Sequence, residues 1–171
     1  MGARPKIRPG LEAIDIILET FAAGIALAVL VYSAVNWSKL SAAVPASFGL
    51  DGRPDAGSAN VTLLSIVIAS AVCYALMTVM ALFPWTFNYP VEVREDNASR
   101  LYAIGTRLLR LIKALVTLFL AWLLFASPSL ARSSELGNGT TYYSVPIFLA
   151  ALLGAVAWGF RAMRKGRDSR A

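Results

Sequence analysis

The chain has 171 residues, 57% of them hydrophobic, with 16 Lys and Arg against 10 Asp and Glu, a formal charge of +6 and no histidine. A soluble domain of this size cannot hide so much apolar surface, so the composition excludes an ordinary soluble fold and points to lipid as the solvent. The missing histidine removes the commonest metal ligand and the commonest proton shuttle, and no cofactor or metal is expected.

Four stretches carry no charged side chain: Thr20 to Ser38, Ala56 to Val91, Ala114 to Ala131 and Leu136 to Phe160. Each supplies the roughly 17 to 25 apolar residues that a helix needs to cross a hydrocarbon layer about 30 Å thick. This predicts a single domain, an all-α integral membrane protein with four transmembrane helices in an antiparallel bundle. Its spans fall at about 14–36, 61–83, 107–127 and 143–161, with an outer loop over 38–60 and a cytoplasmic loop over 84–100. Of the 16 Lys and Arg residues, 13 lie before the first span, between the second and third, or after the fourth. The positive-inside bias therefore puts both termini and the second loop in the cytoplasm. The basic tail reads as a topology anchor near anionic headgroups, not as a nucleic-acid footprint.

The first helix opens with Leu11, Ile14, Leu18 and Phe21 at helical spacing beside an acidic stripe of Glu12, Asp15 and Glu19. Its apolar part is longer than the h-region of a cleaved signal, so it is read as uncleaved. Lys6 stands where a myristoylation signal wants Ser or Thr. The loop that follows is rich in Gly, Pro and Ala. In it, Gly52-Arg53-Pro54-Asp55 forms a turn, because Pro sets φ, Gly allows positive φ and Asp accepts from backbone N–H groups.

The second span ends at Pro84, and its Cys73, the one cysteine of the chain, is read as a small apolar side chain. Trp85, Phe87 and Tyr89 mark the inner interface. Asn97 or Ser99 is expected to cap the third helix, which projects three turns into the cytoplasm and stops at Ser127-Pro128-Ser129. Gly137-Asn138-Gly139 reads as an outer turn, and Tyr142 and Tyr143 open the fourth span. Ala151, Ala155 and Gly159 form a ridge of small residues suited to close helix packing. The Asn-x-Ser/Thr sequons at Asn60, Asn97 and Asn138 fall on both predicted sides, as chance matches do.

Glu19 and Lys113 lie at matching depth, each about five residues inside the cytoplasmic end of its span. Asp15 matches Arg110 and Glu12 matches Arg107, so an acidic stripe on the first helix can face a basic stripe on the third. The expectation is that these helices are neighbours joined by a charge ladder. The alternative is snorkelling, in which the long basic stems reach the headgroups without partners.

The outer-loop segment Val44-Pro45-Ala46-Ser47-Phe48 through Gly52, Pro54 and Asp55 resembles the outer loop of a bacterial family of small membrane proteins carrying a domain of unknown function, which includes the SdpI-like toxin-immunity proteins. Asn88-Tyr89-Pro90 with Asn97, on the cytoplasmic side, resembles that family's stretch between the second and third spans. Ser47 and Ala59 stand where the family has histidine and lysine, so side-chain roles at those two positions do not carry over. What remains is the scaffold of Pro45, Phe48, Gly52, Pro54 and Asp55, either a binding site or a cap on the helix ends.

The resemblance implies a non-enzymatic protein of the bacterial cytoplasmic membrane that presents its outer loop to a peptide or another membrane protein, in an immunity or signalling role. The intramembrane charges motivate an alternative, a small transporter or an accessory subunit of one, which with four helices requires a homo-oligomer or a larger complex. No His or Cys is placed to activate Ser47, Asp51 or Asp55, so an enzyme is the weakest reading.

Overall fold

The computed structural model describes residues 4–38, 47–48, 54–55, 59–132 and 139–165, with side chains over 4–38, 64–125 and 143–165. Four helices carry the fold: α1 (Ala13–Val35), α2 (Ala59–Ala81), α3 (Ala98–Arg132) and α4 (Gly139–Arg164). Each contains a stretch long and apolar enough to cross a membrane. The architecture is therefore an all-α, four-helix membrane bundle, with one local β pairing in the connection between α1 and α2.

Contacts between the helices give their directions. Tyr32 meets Phe125 near one end while Asp15 meets Arg107 near the other, so α1 and α3 run parallel. Glu19 meets Tyr74 while Ile66 packs at the Val29 cluster, and Leu108 lies against Gly159 while Phe119 stacks on Phe148, so α2 and α4 run opposite to both. The chain thus goes up, down, up and down.

α3 is the hub. It packs against α1, α2 and α4, and between Leu101 and Leu124 only Leu118 is exposed. α1, α2 and α4 instead turn large apolar side chains such as Leu27, Leu76 and Leu153 outward, where lipid replaces water and their exposure costs nothing. Near the far end, Val29, Ala121 and Leu124 form a tight apolar cluster backed by Tyr32 and Ile66. On α4, Ala155 and Gly159 of the small-residue ridge are buried, whereas Ala151 is exposed, so two of the three ridge positions face the bundle.

At the basic end a second cluster forms from Tyr89, Ala98, Leu101, Tyr102 and Met163, with Trp85 and Phe87 against it. The residues expected at the interface thus also make a packed floor beneath the helices. A 3-10 turn at Pro84–Thr86 starts this linker, and the Tyr89 hydroxyl donates to the Pro84 carbonyl at 2.8 Å. The amino-terminal segment straps across it: Arg4 donates to the carbonyls of Trp85 and Phe87 at 3.2 and 2.7 Å, and Tyr102 donates to that of Pro5 at 3.0 Å.

Two local expectations need correction. The third helix does not stop at Ser127-Pro128-Ser129 but continues to Arg132. Proline removes one backbone hydrogen bond, and a break there would forfeit the others of that turn as well. Pro146 is carried inside α4 in the same way. The fourth helix starts at Gly139, within the expected turn, whose Gly137 and Asn138 lie outside the described residues.

Candidate functional site

The acidic and basic stripes meet between α1 and α3. Lys113 Nζ donates to Glu19 Oε1, Arg110 reaches Asp15 at 3.3 Å, and Arg107 reaches Glu12 at 2.9 Å. Two diagonals interlock these rungs: Arg107 forms a forked pair with Asp15 at 3.1 and 3.2 Å, and Arg110 lies 3.6 Å from Glu19. Three acids and three bases thus form one neutral network. A guanidinium fork spans two carboxylates one helical turn apart, which a single ammonium cannot do.

Asp15 is the centre of this network. It is 2% exposed, accepts from Arg107, pairs with Arg110 and also accepts the Glu12 backbone N–H at 3.0 Å. That last bond ties down an amide at the start of α1 that has no helical partner, so one carboxylate both caps α1 and clamps it to α3. Buried charges are tolerated only when paired and fully hydrogen-bonded, and Asp15 meets both conditions.

Lys113 is 1% exposed and satisfied from three directions. Besides Glu19, its ammonium donates to Thr78 Oγ1 at 3.0 Å and lies 4.7 Å from the centre of the Tyr74 ring. Tyr74 in turn donates to Glu19 at 3.4 Å. An ammonium has three protons and no acceptor, so two hydrogen bonds and an aromatic face account for it. α2 therefore joins the ladder through two uncharged side chains.

Beyond Lys113, buried hydroxyls continue along the same core. Thr117 back-bonds to the Lys113 carbonyl at 2.6 Å, and the Ser70 and Ser33 hydroxyls find no partner among the described residues. The cluster of Val29, Ala121 and Leu124 is apolar and shuts the core toward the far end.

On the linker, Asn97 precedes the first residue of α3, but its side chain turns back into the loop. It accepts from the Arg94 N–H at 2.9 Å and donates to the Glu92 carbonyl at 3.0 Å, so it shapes the linker. Glu92 also pairs with Arg94 at 2.7 Å, and this carboxylate beside it raises the arginine above its ordinary pKa. Asn88, Tyr89 and Pro90 line one wall of an apolar groove, and Tyr89 is buried against Tyr102.

In the connection between α1 and α2, Ser47–Phe48 pairs antiparallel with Pro54–Asp55, placing Ser47 opposite Asp55 and Phe48 opposite Pro54. Pro45 and Gly52 of the same motif lie outside the described residues. Among the described residues, no group of three His, Cys, Asp or Glu side chains could hold a metal ion.

The roles of Tyr74, Thr78, Gly105 and Tyr102 escape a reading built on charge. A Cβ on Gly105 would lie 2.8 Å from the Tyr89 hydroxyl, so glycine there permits the close approach of the linker to α3. The one sequence signal available was a glycine inside an otherwise strong helix. Searches against protein families, curated proteins and solved structures returned no match.

Proposed function

We propose that the chain is a non-enzymatic, SdpI-like protein of the bacterial cytoplasmic membrane, with both termini cytoplasmic, that presents the connection between α1 and α2 for recognition of a peptide or another membrane protein. The observation that carries this reading is the antiparallel pairing of Ser47–Phe48 with Pro54–Asp55. The pairing of these two dipeptides supports a shaped loop, and shaped loops on rigid supports are where recognition residues concentrate. The charge ladder supplies the support, since it clamps α1, the helix from which the loop departs, to the central α3.

The test replaces residues 46–57 with a Gly-Ser linker of equal length and places a photo-crosslinking side chain at Phe48 or Asp51 of the native loop in cells. Discrete adducts from the loop, absent from positions on the lipid face of α4, support recognition. A loop replacement that leaves every adduct and phenotype unchanged overturns it.

The transporter alternative draws on one observation, the buried hydroxyls that continue past Lys113. Against it stand the neutral balance of the ladder and the apolar cluster at Val29, Ala121 and Leu124. Substrate uptake into liposomes that is lost with Glu19→Gln would favour this second reading.

A further inference from the structure

At the basic end, a groove of about 180 Å³ opens between α2, the linker and α4, floored by α3. Met80, Leu108, Ile112 and Phe160 line it, and Tyr89 lines it from the linker. The Tyr89 hydroxyl is spent on the Pro84 carbonyl at 2.8 Å, so the ring faces the groove as hydrocarbon. The groove is too small for a partner helix, which is about 10 Å across, and below the roughly 300 Å³ at which small-molecule pockets begin. It does suit a short length of hydrocarbon chain.

Its rim is basic. Arg164 lies one turn beyond Phe160 on α4 and next to Met163 of the groove lining, and Arg100 in the first turn of α3 reaches α4 beside it. Arg100 spends one donor on the Ala162 carbonyl at 2.8 Å, which holds the guanidinium against α4 with further N–H groups unspent. Neither arginine forms an ion pair among the described residues, while the linker acids Glu92 and Asp96 act on Arg94. An apolar slot at the basic end of the bundle, with two cations just beyond it, is complementary to one kind of molecule in a bilayer.

We propose that this groove binds an anionic phospholipid, with an acyl chain against Met80, Leu108, Ile112 and Phe160 and its phosphate at Arg100 and Arg164. The site differs from general attraction of the basic tail to the membrane, because it requires both the slot and the rim.

The full-length protein in detergent, titrated with phosphatidylglycerol or phosphatidylcholine and followed by native mass spectrometry, tests this. The wild type is expected to retain one phosphatidylglycerol and to prefer it over phosphatidylcholine. Arg100→Gln with Arg164→Gln should reduce that preference roughly thirty-fold, about the combined worth of two cations at a membrane surface. Met80→Trp and Ile112→Trp fill the slot from α2 and α3 and should reduce retention of both lipids. Having both variants guards against one that misfolds, with helical circular dichroism as the check. Equal retention of the two lipids by the wild type would overturn the proposal. So would a preference that survives both folded Trp variants, since it would then belong to headgroup adhesion alone.

Discussion

Lys113 on α3 and Glu19 on α1 form an ion pair in which the base is 1% exposed and the acid 35%. The asymmetry decides what each substitution leaves behind. Glu19→Gln strands an ammonium in the core, whereas Lys113→Met leaves a carboxylate that still has Arg110 at 3.6 Å and Tyr74 at 3.4 Å. Removing one partner of a buried pair costs about 3–5 kcal/mol, and replacing both is far milder. Glu19→Gln should therefore destabilise by about 3 kcal/mol, Lys113→Met by less, and the double variant by less than Glu19→Gln alone. Unfolding of the purified protein in mixed micelles measures all three; equal losses in the two single variants would contradict the assignment of Lys113 as the buried member.

Asp15 carries more of the ladder than Glu19 because both arginines and the α1 amide converge on it. Asp15→Asn keeps the shape but removes the charge facing Arg107 and Arg110. The expected loss is at least 3 kcal/mol, within the range for breaking a buried pair. Thermal unfolding would show Asp15→Asn to be more damaging than Glu12→Gln, whose carboxylate sits at the exposed edge with a side chain 67% accessible.

Gly105 and Gly159 face different obstacles. A Cβ at Gly105 meets the rigid Tyr89 ring at 2.8 and 2.9 Å, while one at Gly159 meets the end of the flexible Leu108 side chain at 2.5 Å. Overpacking costs about 1–3 kcal/mol when the neighbour cannot turn away. Gly105→Ala should fall in that range and Gly159→Ala below it. Gly24→Ala and Gly154→Ala, whose added Cβ meets nothing within 4 Å, report the helix-propensity gain of the same change without a clash, in the same unfolding assay.

Burial pushes the Tyr89 phenol above its ordinary pKa, the neighbouring Tyr102 adds to this and Arg4 partly offsets it. Below about pH 10 the phenol is neutral in both folded and unfolded chains. Above that value the unfolded chain loses the proton first, so stability falls by up to about 1.4 kcal/mol per pH unit until the folded pKa is reached. Tyr89→Phe lacks this dependence but loses the bond to Pro84, costing about 1 kcal/mol at neutral pH. Unfolding midpoints measured from pH 8 upward should show wild type and variant converging above pH 10; parallel curves would rule the effect out.

The pairing of Ser47 with Asp55 makes a prediction about register. Directly opposed residues in an antiparallel pair lie within disulfide reach, and a one-residue shift does not place them face to face. In a Cys73→Ala background, Ser47→Cys with Asp55→Cys should crosslink readily under mild oxidation, and Ser47→Cys with Pro54→Cys poorly. A gel-shift assay distinguishes them.

Much of this architecture was legible from charge and hydropathy. Charge-free runs of spanning length imply helices, because a backbone in lipid must satisfy its own hydrogen bonds. The acids at 12, 15 and 19 and the bases at 107, 110 and 113 share a helical period, so their alignment could be read from spacing. The diagonal pairs and the central role of Asp15 could not, because they depend on the axial offset between α1 and α3, which no periodicity encodes. Tyr74 and Thr78 carry no charge, and nothing in their spacing marks them as partners of Lys113. The continuation of α3 through Pro128 shows that a Ser-Pro-Ser signal need not end a helix.

By itself, then, the order of residues determined the number of helices, their alternating direction and the face each charge occupies, since these follow from short-range periodicity and the solvation of single segments. Tertiary structure alone decided that α3 would be the hub, that Asp15 would be the shared acceptor, and that Gly105 would admit Tyr89. Those features arise where side chains from separate helices compete for the same space and the same protons, and that competition is settled only once the helices are packed.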